Sequence, residues 1–426
     1  MVHDSREADK TVTANNTEKP NLTKKESEKS NTEKPNLTKK ESEKSDTEKP
    51  NLTNKAAGKT LSLTQKQFLS LMRMGLYSRP ENPNHFRQCQ WGEVMRMAKD
   101  QGVLGIVIDG VTQLQPFLPA LANIMIKLFP KLYNIEKKNK KADETAVAFY
   151  KMMEEKGFSP HIVKGQVVAR EYPHPDHRMC GDIDVWIADG KEAEDAFCWA
   201  EKEYDCRWMP GEKETSFDWN NALVELHRRI ADMQHKPYDL YLQSLVKKHS
   251  LPVAEKAYFV EIENTKIRTT SVYLTLLHLV IHLQYHILAE GIGFRQFCDL
   301  ALFIRNHSEE LMPRKEEIQR DLEGCGVDKM AAAIGWILHK QLAVEEEKIP
   351  FRISPQGAEK ILEDIWIGGN FGKNRYGYVS NYGFLRRKLT MFPVHFRQFM
   401  RYRELLPKEA FVNFLSKFFR AAKGVK

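Results

Sequence analysis

The chain has 426 residues, 42% of them hydrophobic and 29% charged, with a formal net charge of +8, which is enough length for two or three domains and a sizeable core. Its six cysteines stand far apart with no C-x-x-C pair, which excludes a zinc ribbon or a dense disulfide framework and predicts reduced thiols. The positive charge is uneven: Lys and Arg heavily outnumber Asp and Glu in residues 371–426, and that segment alone makes the chain basic.

Residues 1–58 hold almost no aromatic or branched apolar side chains and are dominated by Lys, Glu, Asn, Thr and Ser. Such a segment cannot bury enough apolar surface to offset chain entropy, so the reading is a disordered tail. Within it Thr-Glu-Lys-Pro-Asn-Leu-Thr begins at Thr17, Thr32 and Thr47. One leucine per copy is too little for a packed array, so the tandem copies read as a spacer. Residues 1–20 lack the apolar run of a signal peptide, which makes the cytoplasm the expected location.

From Leu61 to about Lys156 the apolar spacing is helical, as at Phe68, Leu71 and Met72, and predicts a helical N-terminal domain over residues 59–156. Its last helix, Ala142 to Glu155, is stopped by Gly157. The period then changes. His161–Lys164, Asp182–Ile187 and Ala222–His227 read as strands, with a helix over Lys191–Tyr204 entered through Asp189-Gly190, which defines a core over 157–270. After Ser271 the helical period returns in one helix through Leu288 and another over Phe294–Asn306, so residues 271–426 form a helical C-terminal domain with a basic tail. Asn123 and Lys127 interrupt the apolar stretch from Phe117 to Phe129, and three histidines interrupt Val272 to Leu288; both read as core helices rather than transmembrane segments. The predicted fold class is α+β: a small mixed sheet flanked by N- and C-terminal helical regions.

Chemistry concentrates in the central block. In a strand, residues i and i+2 share a face, so Asp182 and Asp184 point into a cleft while Ile183, Val185 and Ile187 face the core. Paired carboxylates suit a divalent ion such as Mg2+, with substrate phosphates completing its shell. Glu225 supplies a third carboxylate if its strand pairs beside Asp182 and Asp184, and His227 would share its face and reach a substrate phosphate or hydroxyl. Lys164-Gly165, ending the preceding strand, offers a cation and free N–H groups for phosphates, and Arg178 lies four residues before Asp182.

Taken together, Val163-Lys164-Gly165, Tyr172-Pro173-x-Pro175 and Arg178-x-x-Gly181-Asp182-Ile183-Asp184 resemble an uncharacterised bacterial nucleotidyltransferase family of the polymerase-β-like superfamily. Glu225-Leu226-His227 and the Gly291 to Leu300 segment with Arg295 and Asp299 resemble its later motifs, so the likeness spans roughly residues 61–420. The residues themselves make Arg178 and His227 candidate nucleotide contacts and Mg2+ or Mn2+ the expected cofactor; the resemblance implies Asp182, Asp184 and Glu225 as metal ligands and catalytic groups and Lys164-Gly165 as the nucleotide-phosphate loop. It also implies transfer of a nucleoside monophosphate from a nucleoside triphosphate to an acceptor that the sequence does not identify. Gln166 departs from the superfamily, which usually has a small hydroxyl residue there.

His278, His282 and His286 recur every four residues on one helical face. Without a nearby H-E-x-x-H glutamate they read as a stripe packed on polar neighbours, lining the cleft of Arg295 and Asp299, rather than as a zinc centre. Arg295 and Asp299 read most simply as a helix-face salt bridge. The basic C-terminal region, with Arg386-Arg387-Lys388 and an amphipathic helix through Phe411, Phe414 and Phe418, is a candidate for an anionic partner, although packing on the protein itself is the simpler use of that face. Two alternatives to an enzyme are a catalytically silent nucleotide- or partner-binding protein of the same fold and a nucleic-acid-binding accessory protein.

Overall fold

The computed structural model describes residues 61–209, 212–250, 258–289, 291–370 and 384–420, apart from the side chains of 384–391 and 418–420. The repeats of residues 1–58, most of the Gly368 to Asn381 stretch, and the side chains of Arg386, Arg387, Lys388 and Phe418 lie outside the described residues.

In chain order the helices α1 (Leu63–Tyr77), α2 (Trp91–Asp100), α3 (Leu104–Leu114) and α4 (Ala122–Glu155) come first. Ser62 caps α1 in a capping box with Gln65. The predicted helix at Ala142 to Glu155 is the second half of α4, which runs through Pro130. Two glycines let α1 and α3 cross closely: a Cβ on Gly75 would strike the Ile106 carbonyl, and one on Gly110 would strike the Leu71 carbonyl. Gly110→Ala is therefore expected to lower stability by about 1–3 kcal/mol through forced separation of the helices. Gly92→Ala, where nothing lies within 4 Å of the added Cβ, should leave the melting temperature unchanged or slightly raised. Thermal melts of the two variants compare them directly.

The middle of the chain is β1 (Pro160–Val163), α5 (Gly165–Ala169), β2 (Ile183–Ile187), α6 (Gly190–Glu203), β3 (Glu214–Trp219), β4 (Ala222–His227), α7 (Lys236–Ser250), β5 (Tyr258–Ile262) and β6 (Thr265–Thr269). Strands β1 to β4 form a mixed sheet of order β1-β2-β4-β3, and β5 and β6 form a separate antiparallel pair. β1 runs antiparallel to β2, β2 parallel to β4, and β4 antiparallel to β3. The strands at residues 160–163, 183–187 and 222–227 lie where the alternation predicts. β3 and both strands of the second hairpin are additions to that reading. Each hairpin closes through two non-glycine residues at positive φ, Asn220 (51°) with Asn221 (62°) and Glu263 (47°) with Asn264 (56°), the backbone that matches strand twist.

Ile183, Val185, Ile187, Val224 and Leu226 on one face of the sheet share a core with Phe149 and Met153 of α4 and Ala193, Ala196 and Phe197 of α6. The opposite face carries Asp184, Trp186, Glu225 and His227 toward the helices that follow. These are α8 (Val272–Ala289), α9 (Phe294–Asn306), α10 (Ser308–Leu311), α11 (Lys315–Gly324), α12 (Asp328–Leu342), α13 (Ala358–Gly368), α14 (Phe384–Tyr402) and α15 (Pro407–Arg420). A second core joins α1 to α3 with α8, α9, α12 and α13, so helices from before and after the sheet pack together.

α8 is long and apolar enough for a membrane span, yet 83% of that window is buried inside the fold. Its C-terminal carbonyls are capped by the last helices: Lys417 Nζ donates to the Ala289 carbonyl at 2.9 Å and Gln398 Nε2 to that of Ile287 at 2.5 Å. Phe411 and Phe414 of α15 meet Phe399 of α14, with ring centroids 6.0 and 5.7 Å apart, while Phe411 stays 48% exposed, so this face packs on the protein only in part. None of the six cysteines forms a disulfide.

Candidate active site

The parallel pairing of β2 and β4 sets Asp184 directly opposite Glu225 and Trp186 opposite His227. Opposed residues of neighbouring strands share a face, so the sheet brings both carboxylates and the histidine to one side. Asp184, Glu225 and His227 each place a ligand atom within 4.8 Å of the others. His249, Glu317 and Asp321 form a second such group. There Glu317 is held by Arg314 and Lys248 and Asp321 accepts from Tyr241 and Tyr273, so the two carboxylates are matched, while His249 Nε2 is buried without a hydrogen-bond partner among the described residues.

Asp184, only 3% exposed, is the hub of the first group. Its Oδ1 accepts from Lys164 Nζ at 2.6 Å and lies 2.8 Å from His227 Nε2. Burial would raise this carboxyl, but Lys164 and His227 hold it well below the usual carboxylate range. Burial would likewise lower the Lys164 ammonium, yet Asp184, Glu225 and Asp182 raise it. His227 is pushed up to about 9: burial and Lys164 oppose its charge, and Asp184, Glu214 and Glu225 outweigh them. Its Nδ1 lies 3.2 Å from Glu214 Oε2, so both ring nitrogens meet carboxylates. Asp182 behaves differently. Burial first, then the like charges of Asp184 and Glu225, raise its carboxyl against the opposing Lys164.

Lys164 reaches its place through an uncommon backbone, φ 54° and ψ −120° at the turn from β1 into α5. That conformation is costly for a residue with a Cβ and is held by the surrounding packing. Gly165 follows it, buried, with Arg178 Nη1 and the Asp182 carbonyl 3.7 and 3.8 Å from where a Cβ would stand. Gln166, fully buried, turns Nε2 to the Asp182 carbonyl at 3.3 Å. Gln166 thus supports the carboxylate segment from behind.

Arg178 is fixed by Asp299 in a two-pronged pair, Nε to Oδ1 and Nη2 to Oδ2, both 2.8 Å, and Tyr172 donates to the same Oδ1 at 2.6 Å. The simple helix-face pairing of Asp299 with Arg295 therefore needs correction: Asp299 reaches across to the loop before β2, and Arg295 Nη1 donates to the Met179 carbonyl at 2.9 Å. The same loop is pinned from its other side. His177 lies between Asp109 (2.7 Å) and Glu136 (3.0 Å), and Asn139 of α4 donates to the carbonyls of Asp176 and Arg178.

These groups surround a cavity of about 350 Å³. Lys164, Gly165, Arg178, Asp182, Asp184 and Glu225 all line it, whereas His227 does not and lies behind the carboxylates. α8 and α9 form the opposite wall with His282, Tyr285, His286, Arg295 and Asp299. Two of the three stripe histidines, His282 and His286, therefore share the cleft of Arg295 and Asp299, with their Nε2 atoms 3.1 Å apart, whereas His278 does not line it. Burial pulls the His278 and His282 imidazoles well below their ordinary value. Lys213 and Glu214 at the start of β3 also line the cavity. Their hairpin carries a strand signal in the alternation of buried Thr215 and Phe217 with exposed Ser216 and Asp218, one that is not among the strands expected from the sequence.

Residues 87–343 match the model of a family described as uncharacterised nucleotidyltransferase. Among solved structures, an antigenic nucleotidyltransferase-like protein from Paracoccidioides brasiliensis is similar at 14% identity, over 52% of this chain and 96% of that one, with a TM-score of 0.32. No curated protein matches the chain.

Proposed function

The chain belongs to the uncharacterised nucleotidyltransferase family, and from that premise we propose that it moves a nucleoside monophosphate from a nucleoside triphosphate to an acceptor, using Mg2+ or Mn2+ held by Asp182, Asp184 and Glu225. The observation that carries this reading is the register of β2 on β4, which sets Asp184 and Glu225 side by side on a cavity that also holds Asp182 and Lys164. The donor set suits a hard cation: the carboxylate oxygens of Asp184 and Glu225 cluster with His227, and Asp182 lines the same cavity.

When bound, such an ion lowers the acceptor's pKa and stabilises the leaving phosphate oxygens. The chain's own part is position and charge. Asp184 is kept ionised by Lys164 and His227, so the ligand is charged before a cation arrives. Lys164, Arg178, Lys213 and Arg295 bring positive charge to the cavity wall for a triphosphate. Glu225 is the group placed to take a proton from the acceptor. His227 lies off the wall and acts by orienting Asp184 rather than by touching the nucleotide, a change from the role its motif implies.

Titration with Mn2+ followed by electron paramagnetic resonance tests this reading. The wild-type protein should bind Mn2+, and His227→Gln should weaken that binding about 10–100-fold, the usual effect of removing a ligand's supporting partner. A wild-type protein that binds no Mn2+ refutes the metal-dependent reading. Unchanged affinity in His227→Gln removes the orienting role alone.

A further inference from the structure

A groove of about 840 Å³ runs between α2 and the first half of α4, apart from the carboxylate cavity. Its floor is apolar, built from Trp91, Met95, Leu104, Ile124 and Leu128. Its rim is cationic, with Lys99, Lys127, Lys131 and Lys138 along the two helices. Among the described residues, no carboxylate lies within ion-pair distance of these four lysines. On α4 the lining runs from Ile124 to Lys138, about 21 Å at the rise of an α-helix.

An apolar floor beneath unpaired cations selects by two criteria at once. The floor gains from burying hydrocarbon, about 25 cal/mol for each Å² removed from water, and the rim attracts negative charge. A strand of nucleic acid meets only the second, since Trp91 is the one aromatic ring on a floor that is otherwise aliphatic, and base recognition relies on stacking. We propose that this groove binds an amphiphilic anion, an apolar chain ending in a phosphate, with the chain along the floor and the head among the α4 lysines.

The end wall of the groove is Met179 and Cys180. They belong to the loop whose other side faces the carboxylate cavity: Met179 offers its carbonyl to Arg295, and Arg178 Nη1 donates to the Cys180 sulfur at 3.3 Å. A ligand in the groove thus sits against the segment that delivers Asp182. The assignment of the ligand stands on the groove alone and does not depend on nucleotidyl transfer.

The experiment is calorimetric titration of the full chain with dodecyl phosphate below its micelle concentration, with inorganic phosphate, decanol and phosphatidate-containing vesicles as separate arms. Saturable binding of dodecyl phosphate is expected, with both inorganic phosphate and decanol weaker. Lys127→Glu/Lys131→Glu should weaken it at least about tenfold by reversing charge at the rim. Ile124→Asp, which places a charge on the floor, should do the same, and the lysine variant keeps the test open if that substitution disturbs folding. Binding that survives the lysine substitutions, inorganic phosphate binding as tightly as dodecyl phosphate, or binding to vesicles alone would each overturn the proposal.

Discussion

Replacing Asp299 with alanine is expected to lower the free energy of unfolding by about 3–5 kcal/mol, because Arg178 would remain buried with its counter-charge gone. Arg178 is 5% exposed and Asp299 4%, and the two-pronged geometry leaves the guanidinium no other carboxylate within the hydrogen bonds it makes here. Tyr172→Phe provides the graded comparison: it removes one hydrogen bond to the Asp299 carboxylate and leaves the ion pair, so a loss of about 1.5–3 kcal/mol is expected. Urea denaturation of both variants measures the difference. If Asp299→Ala costs no more than Tyr172→Phe, the ion pair is not what fastens the loop before β2. The same substitution should also weaken nucleotide binding, since Arg178 lies four residues before Asp182 on that loop.

The second large effect is at Asp184. Asp184→Asn keeps the shape of the side chain but removes the charge that Lys164 and His227 share. Affinity for Mn2+ should fall by about a hundredfold or more, corresponding to roughly 3 kcal/mol. Stability should fall as well, because the buried His227 and the half-buried Lys164 then face a neutral amide. A variant that folds normally by circular dichroism and binds Mn2+ as the wild type does would remove Asp184 from the ligand set.

The strands at the centre were legible because their residues alternate with period 2, and Asp184, Val185 and Trp186 sit where that alternation places them. The third carboxylate was only conditionally legible. Glu225 joins Asp184 through the pairing of β2 with β4, a contact between distant segments that no local pattern encodes. The helices were readable from their spacing, but the partner of Arg178 was not: Asp299 is far along the chain, and its local neighbour Arg295 offered a plausible i,i+4 pair. His227 illustrates a different limit. Its face could be read from the strand, whereas its depth depends on what packs around it, and it proves to lie behind the carboxylates with both nitrogens engaged. The hairpin bearing Lys213 and Glu214 turns on Asn220-Asn221, a weaker turn signal than asparagine followed by glycine.

Calorimetric titration of each nucleoside triphosphate into the full chain, with Mg2+ or Mn2+ and again with the metal chelated, tests the central proposal most directly when the wild type is compared with Asp182→Asn/Asp184→Asn. Binding is expected to require the metal and to be lost in the double variant while circular dichroism shows the fold intact. A wild type that binds no nucleotide with either metal, or a double variant that binds as tightly as the wild type, would contradict the proposal.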